Sequence, residues 1–461
     1  MKIEQIYTGC LSQGAYYIQS GDEAVIIDPL REIDSYLKKA EKDGVTIKYI
    51  FETHFHADFV SGHVSLAKKT GATIVYGPTA QTTFDAHIAK DGEEFKVGKL
   101  SIQAIHTPGH TLESTTYLLK DEERKDIAIF TGDTLFLGDV GRPDLAQKSD
   151  LTQDDLAGML YDSLRNKIMP LADDITVYPA HGAGSACGKH MMKETIDTLG
   201  NQKKMNYALR ANMTKEEFVK EVTNGLLPPP AYFPLNVQLN KEGYDALDVI
   251  LEQGKNGLSP SKFEELANTS GALLLDVRNE HQFVKGHIPN SIFIGLNGTF
   301  APWVGQLIID IKQSILLIVD EGSEEEAITR LARVGFDHTL GYLKGGITAW
   351  KKAGREIDTI TSISSEEYAT RIDGVKDCSF DVRKESEYET NRVDGIPNTP
   401  LHSLNDFTHL FPTDKNFYLH CGGGYRSVIA ASILKARGTH NAINVEGGFK
   451  GMKEAGIKTV N

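Results

Sequence analysis

The chain is 461 residues long, which at roughly 150 residues per domain allows about three domains, each large enough for its own core. Hydrophobic residues make up 40% and charged residues 24%, and no stretch approaches the roughly 18 apolar residues of a membrane span, so neither a mini-protein nor a transmembrane protein is expected. With 49 Lys and Arg against 63 Asp and Glu the net charge is −14, and no basic stripe offsets it, so the chain should repel a nucleic-acid backbone.

The opening Met1-Lys2-Ile3-Glu4-Gln5 has an early acid and no apolar core of a signal peptide, which makes the cytoplasm the expected compartment. Short strands are predicted at 24–27, 47–51, 73–76, 127–130 and 176–178, separated by loops rich in His, Asp and Gly and by helices such as 154–168. This pattern predicts an α/β domain with polar clusters at its strand ends, where such folds commonly build sites.

Thr53-His54-Phe55-His56-Ala57-Asp58-Phe59 follows the apolar run Tyr49-Ile50-Phe51, placing three potential ligands on the turn leaving a strand. His106-Thr107-Pro108-Gly109-His110, Phe130-Thr131-Gly132-Asp133 and Tyr178-Pro179-Ala180-His181 leave three further strands. Imidazoles and a carboxylate converging from separate strand ends can hold a first-row metal with open positions. Taken singly, His63, His87, His106 or His190 reads as hydrogen-bonded structure; His54, His110 and Asp133 together read as a site.

Residues 1–240 carry these four motif loops in order and resemble the metallo-β-lactamase fold, an αβ/βα sandwich with a His-x-His-x-Asp-His signature. The resemblance implies a second metal site built from the Asp and last His of the signature and a later His. Here Phe59 stands at the last His, so that site would keep only Asp58, His181 and a bridging Asp133. The departure points to the persulfide dioxygenase branch, which the resemblance implies binds one Fe(II) per chain through His54, His110 and Asp133, with His56 in support or reserve. A zinc-dependent thioester hydrolase of the glyoxalase II type is the alternative. Gly138-Asp139-Val140-Gly141-Arg142-Pro143-Asp144 resembles a loop of the same branch, and Arg142 is the candidate contact to an anionic thiol carrier, or else only a partner of Asp144. Cys187 reads as a buried inert thiol, with a redox-active thiol near the site as the alternative.

Gly225-Leu226-Leu227-Pro228-Pro229-Pro230 suits an extended connector, which puts a boundary within 225–258. Beyond it the chain repeats. Leu275-Asp276-Val277-Arg278 returns as Phe380-Asp381-Val382-Arg383, Gly286-His287-Ile288-Pro289-Asn290 as Asp394-Gly395-Ile396-Pro397-Asn398, and Gly345-Gly346-Ile347 as Gly447-Gly448-Phe449. A period of about 100 residues exceeds that of a solenoid and indicates a duplicated domain, here a small α/β unit with a parallel sheet.

The four cysteines, Cys10, Cys187, Cys378 and Cys421, lie far apart and predict single-thiol chemistry rather than disulfides or a zinc knuckle. Cys421-Gly422-Gly423-Gly424-Tyr425-Arg426-Ser427 lies between the run 417–420 and a helix predicted to begin near Val428 and close at Gly438. The glycines let backbone N–H groups and a helix N-terminus face the sulfur, favouring an anionic persulfide, while Arg426 offers a guanidinium to an oxyanion. No Lys follows the glycines, which excludes a nucleotide P-loop. The loop and the Asp-Val-Arg, Gly-Ile-Pro-Asn and Glu446-Gly447-Gly448-Phe449 landmarks resemble a rhodanese domain, in which Cys421 and Arg426 would be catalytic and Gly422, Gly423, Gly424 and Tyr425 would line the substrate. Asp381 and Arg383 are expected to be structural.

In the first repeat Asp320 is read as matching Cys421, with Glu321, Glu324, Glu325 and Glu326 nearby, so this copy is expected to be inactive and to serve as a scaffold. The expected division is 1–240, a metallo-β-lactamase-like dioxygenase; 241–358, a silent rhodanese; and 359–461, an active one. The resemblance implies an enzyme that oxidises a thiol persulfide with O2 to sulfite and exchanges sulfur with thiosulfate at Cys421. A homo-oligomer with no nucleic-acid or membrane partner is expected.

Overall fold

The structure is a computed structural model that describes residues 1–147 and 151–461. The chain divides into two compact units, Met1–Leu247 with Ala332–Gly335, and Asp248–Leu331 with Phe336–Asn461.

Among the described residues the first unit holds two six-stranded sheets. One runs in chain order through β1 (Lys2–Thr8), β2 (Gln13–Ser20), β3 (Glu23–Ile27), β4 (Thr46–Phe51), β5 (Thr73–Tyr76) and β6 (His87–Ile88). The other comprises β7 (Glu94–Val97), β8 (Leu100–His106), β9 (Thr115–Lys120), β10 (Asp126–Gly132), β11 (Thr176–Pro179) and β12 (Asp197–Thr198), hydrogen-bonded in sequence. Strand alternation sorts the side chains into three layers. Tyr16, Ile18, Val25, Ile27 and Phe51 of the first sheet meet Phe95, Ile102, Tyr117, Leu119 and Phe130 of the second. The opposite face of the first sheet, Ala15, Tyr17, Ala24 and Ile26, packs on Tyr36 and Ala40 of helix Asp34–Asp43 and on Leu66 of helix His63–Thr70. The outer face of the second sheet, Leu118, Ile129 and Val177, packs on Ala157 and Leu160 of helix Gln153–Ser163. This is the expected αβ/βα sandwich.

The five predicted strands are present within a residue or two of their expected limits, whereas the β1–β2 hairpin was not anticipated. Nearly every residue of β2 is buried, so its two faces show no polar alternation to read. The expected helix 154–168 is α-helical over Gln153–Ser163 and continues as a π-turn over Leu164–Ile168.

Both repeats lie in the second unit, apart from Ala332–Gly335 of the first, and each forms a parallel sheet. The first orders β13 (Gly257–Leu258), β17 (Thr339–Leu343), β16 (Ile315–Ile318), β14 (Leu273–Asp276) and β15 (Ile292–Phe293). The second orders β18 (Thr361–Ile363), β22 (Ala442–Val445), β21 (Phe417–His420) and β19 (Ser379–Asp381), beside an antiparallel pair of β20 (Arg392–Val393) and β23 (Thr459–Val460). Arg278 forks onto Asp276 and donates to the Gly286 carbonyl; Arg383 forks onto Asp381 and donates to the Asn391 carbonyl. The shared Asp-Val-Arg motif is therefore a buried structural clamp in both copies. Among the described residues no helix is long and apolar enough to cross a membrane.

Candidate metal centre and thiol loop

His54 leaves β4, His110 follows β8 and Asp133 follows β10, so the strand ends of both sheets deliver them to one place. One ligand atom from each lies within 4.8 Å of the others, and all three residues are buried. His110 Nε2 is 3.4 Å and His54 Nε2 3.8 Å from the same Asp133 oxygen, Oδ2. Both carboxylate oxygens of Asp133 are buried without a hydrogen-bond partner among the described residues, a costly arrangement unless a cation meets them.

The tautomers of both imidazoles follow from their partners. The Thr53 hydroxyl donates its one proton to Asp28 Oδ2 at 2.8 Å, so at 3.0 Å it accepts from His54 Nδ1–H. The Arg142 carbonyl can only accept, at 2.8 Å from His110 Nδ1, which must also carry its hydrogen. Each ring thus turns Nε2 toward Asp133. Burial, reinforced by His56, His110 and His181, holds the His54 pKa well below its usual value and keeps the ring neutral for ligation. Asp28 also accepts from the Thr53 amide at 2.8 Å and holds a left-handed backbone, φ 50°, strained for a non-glycine residue.

Around this set the structure places the remaining expected residues. His181 Nε2 lies 3.5 Å from Asp58 Oδ2 and 3.6 Å from Asp133 Oδ1, so Asp133 faces two clusters at once. Phe59 is fully buried and packs its ring 4.3 Å from the His56 centroid, putting apolar surface where the family signature has an imidazole. His56 turns Nε2 toward Asp28 at 3.1 Å and Glu52 at 3.6 Å. Burial alone would depress His56, but Asp28, Glu52 and Asp58 outweigh it and carry the pKa up to about 9. Cys187 is buried and within ligand distance of Asp133 and His181; burial first, then the charges of Asp58 and Asp133, push its thiol well up. Arg142 is buried, forks onto Asp144 at 2.6 Å and donates to the Leu227 carbonyl, so its guanidinium is committed and its carbonyl serves His110. Sequence reading missed Asp28 and Thr53; an aspartate ending an apolar strand and a threonine preceding the first histidine were the available signals.

In the second repeat Cys421 follows β21 directly, and the helix begins at Tyr425, three residues earlier than expected. The Gly424 N–H points at Cys421 Sγ at 3.1 Å from a backbone φ of 113°, which favours glycine. The Ser427 hydroxyl lies 3.6 Å from the sulfur, and the Phe449 and Lys450 amides donate to the Cys421 and Gly422 carbonyls, which explains the Gly447-Gly448-Phe449 landmark. Arg426 does not stand open to an oxyanion: its guanidinium forks onto Glu387 at 2.5 and 2.8 Å. Tyr425 lines the same cavity as Cys421 and donates to the Gly295 carbonyl.

The match of Asp320 to Cys421 needs correction. Asp276 pairs with Ile318 in the first sheet and Asp381 with His420 in the second, so counting from the strand puts Val319, not Asp320, opposite Cys421. The first loop is one residue longer, and only counting back from the helix at Glu324 reaches Asp320. Neither position carries a thiol.

The fold and these two centres define a metallo-β-lactamase-fold protein joined to tandem rhodanese-like domains. The profile of the metallo-β-lactamase superfamily matches residues 8–181, and that of the rhodanese-like domain matches 259–353 and 364–455. The human protein "Persulfide dioxygenase ETHE1, mitochondrial" (Homo sapiens) is 31% identical over 220 residues, covering 47% of this chain and 78% of that protein. A hydroxyacylglutathione hydrolase of Brucella anthropi is 38% identical over 152 residues, 32% of this chain and 52% of that one. A crystal structure of a metallo-β-lactamase from Staphylococcus aureus superposes with a TM-score of 0.65 at 31% identity, covering 75% of this chain and 98% of that chain. The chain belongs to the persulfide dioxygenase family and is an enzyme of it that carries rhodanese-like domains.

Proposed function

We propose that the chain oxidises a low-molecular-weight thiol persulfide with O2 to sulfite at a mononuclear Fe(II) site, and that Cys421 carries sulfane sulfur in making or using thiosulfate. The observation that supports this most is the donor set itself: two imidazoles held through Nδ1 with Nε2 toward Asp133, and one unpartnered carboxylate, beside a phenyl ring. His54, His110 and Asp133 would hold the ion. Two His and one carboxylate leave open positions, and Fe(II) there supplies joint activation of O2 and a persulfide sulfur. Thr53 and Asp28 fix the His54 ring, and the Arg142 carbonyl fixes that of His110, so the ligands need little reorganisation. Phe59 keeps an imidazole out of the neighbouring cluster and excludes water from that side. At Cys421 the aimed Gly424 N–H stabilises the sulfur as an anion.

The test is O2 consumption by the Fe(II)-loaded protein on adding glutathione persulfide, with metal content measured on the same sample. Rapid uptake with about one iron per chain is expected. Asp133→Ala should lose both iron and O2 uptake while Cys421 still accepts sulfur; retained iron would overturn the ligand assignment. Two further groups that share His181, one with His56 and Asp58 and one with Asp133 and Cys187, favour a second reading, a dinuclear zinc thioester hydrolase. Zinc in the purified protein with thioester cleavage and no O2 uptake would establish that reading instead.

A further inference from the structure

The cavity in front of Cys421 is about 440 Å³, and both repeats build it. A water molecule's share of liquid volume is about 30 Å³, and pockets for organic ligands begin near 300 Å³, so the space far exceeds what sulfite or thiosulfate would fill. The second repeat supplies Cys421, Tyr425, Arg426 and Lys384; the first supplies Glu280, Asn297, Thr299 and Trp303. The helix that follows the thiol loop is tied to the first repeat. Tyr425 donates to the Gly295 carbonyl at 2.7 Å, and the Phe293 amide donates to Ser432 Oγ at 2.9 Å. At Gly298 a Cβ would fall 2.3 Å from the Tyr425 ring, so that position admits no side chain while the tyrosine stays in place.

The charges of the wall are arranged unevenly. Arg426 is already neutralised by its fork onto Glu387. Glu280 and Lys384 both line the cavity, and among the described residues neither side chain takes part in an ion pair. A small oxyanion would gain Lys384 but would also face Glu280. A molecule carrying both an ammonium and a carboxylate can satisfy the two groups together, with Trp303 and Tyr425 offering apolar surface to its carbon skeleton.

We infer that the silent first repeat is the selectivity wall of the Cys421 pocket, and that Cys421 takes its sulfur from a zwitterionic organic thiol persulfide, with Glu280 and Lys384 reading its two charges. This rests on Cys421 being a sulfur carrier. In the step, the Cys421 thiolate attacks the outer sulfur of R–S–S⁻. The new Sγ–S bond forms as the S–S bond of the persulfide breaks, R–S⁻ departs with its C–S bond intact, and Cys421–S–S⁻ remains, with no net oxidation. Cysteine and glutathione are two carriers that present this pair of charges.

The full-length protein is mixed in separate arms with cysteine persulfide, glutathione persulfide and thiosulfate, and sulfur on Cys421 is followed by mass spectrometry of the quenched protein. The parent should load faster from at least one zwitterionic persulfide than from equimolar thiosulfate. In Glu280→Gln the ratio of zwitterionic to thiosulfate loading should fall about tenfold, the worth of one hydrogen bond to a charged group, and in Lys384→Gln, where both donors lose a cation, the rate of loading from the zwitterionic persulfide should itself fall about tenfold. Thermal unfolding of each variant checks that the unit is intact. A ratio unchanged in Glu280→Gln, zwitterionic loading unchanged in Lys384→Gln, or a parent that prefers thiosulfate, would overturn the inference and leave Cys421 a sulfur carrier. A parent that loads from none of the three would instead overturn the carrier reading itself.

Discussion

The two repeats share a parallel sheet and a buried Asp–Arg clamp, and they differ in a handful of residues between the central strand and the next helix. In one copy that stretch is Cys421-Gly422-Gly423-Gly424, whose last amide turns in toward the sulfur; in the other it is Val319-Asp320-Glu321-Gly322-Ser323, leading into three consecutive glutamates. The comparison separates what holds a fold from what performs chemistry. The clamp is buried, hydrogen-bonded and present in both copies whether or not a thiol follows the strand, whereas the proposed chemistry rests on one loop that only the second copy carries.

The largest expected effect tests that separation directly. Cys421→Ser should abolish sulfur loading measured by mass while leaving O2 uptake at the metal centre; equal loss of both would show that the two chemistries are not divided in this way. Next comes the clamp. Asp276→Ala and Asp381→Ala each strand a buried guanidinium and should cost about 3–5 kcal/mol, measured by denaturant unfolding. If the silent copy tolerates its substitution while the active one does not, the clamp belongs to catalysis rather than to the fold. Ser427→Ala removes a hydroxyl that lies 3.6 Å from the sulfur and 2.7 Å from Asn444 Oδ1, and it should slow loading severalfold, at a cost of about 1 kcal/mol. The smallest effect is expected from Val319→Cys, which restores a thiol at the strand-counted position but not the glycine cradle; uptake of sulfur there would mean that the loop's conformation matters little.

Much of this was legible in the sequence because it is local. The Asp-Val-Arg clamps close within two residues, Cys421 sits directly after its strand, and His54, His110 and Asp133 each follow a recognisable apolar run. What was not legible depends on residues far apart in the chain. Arg426 reads as an open guanidinium until Glu387 is folded against it; the Arg142–Asp144 pair was among the readings of the sequence, but the Leu227 carbonyl that completes it was not. Asp28 supports His54 through Thr53 across 25 residues. The slip between Val319 and Asp320 arose from a one-residue difference in loop length, which only the pairing of strands resolves.

The contact of Tyr425 with Gly298 has a bearing on how this chain can change over generations. A duplicated copy that has lost its nucleophile would ordinarily be free to accumulate substitutions wherever its own core permits. If Cys421 carries sulfur as proposed, selection on that transfer would reach through the tyrosine into a repeat that lacks the thiol, and would hold the stretch from Gly295 to Trp303 to the standard of an active-site loop. In a saturation mutagenesis screen for sulfur transfer, that stretch should tolerate as little change as the glycines beside Cys421, while the acidic start of helix Glu324–Ala332 varies freely.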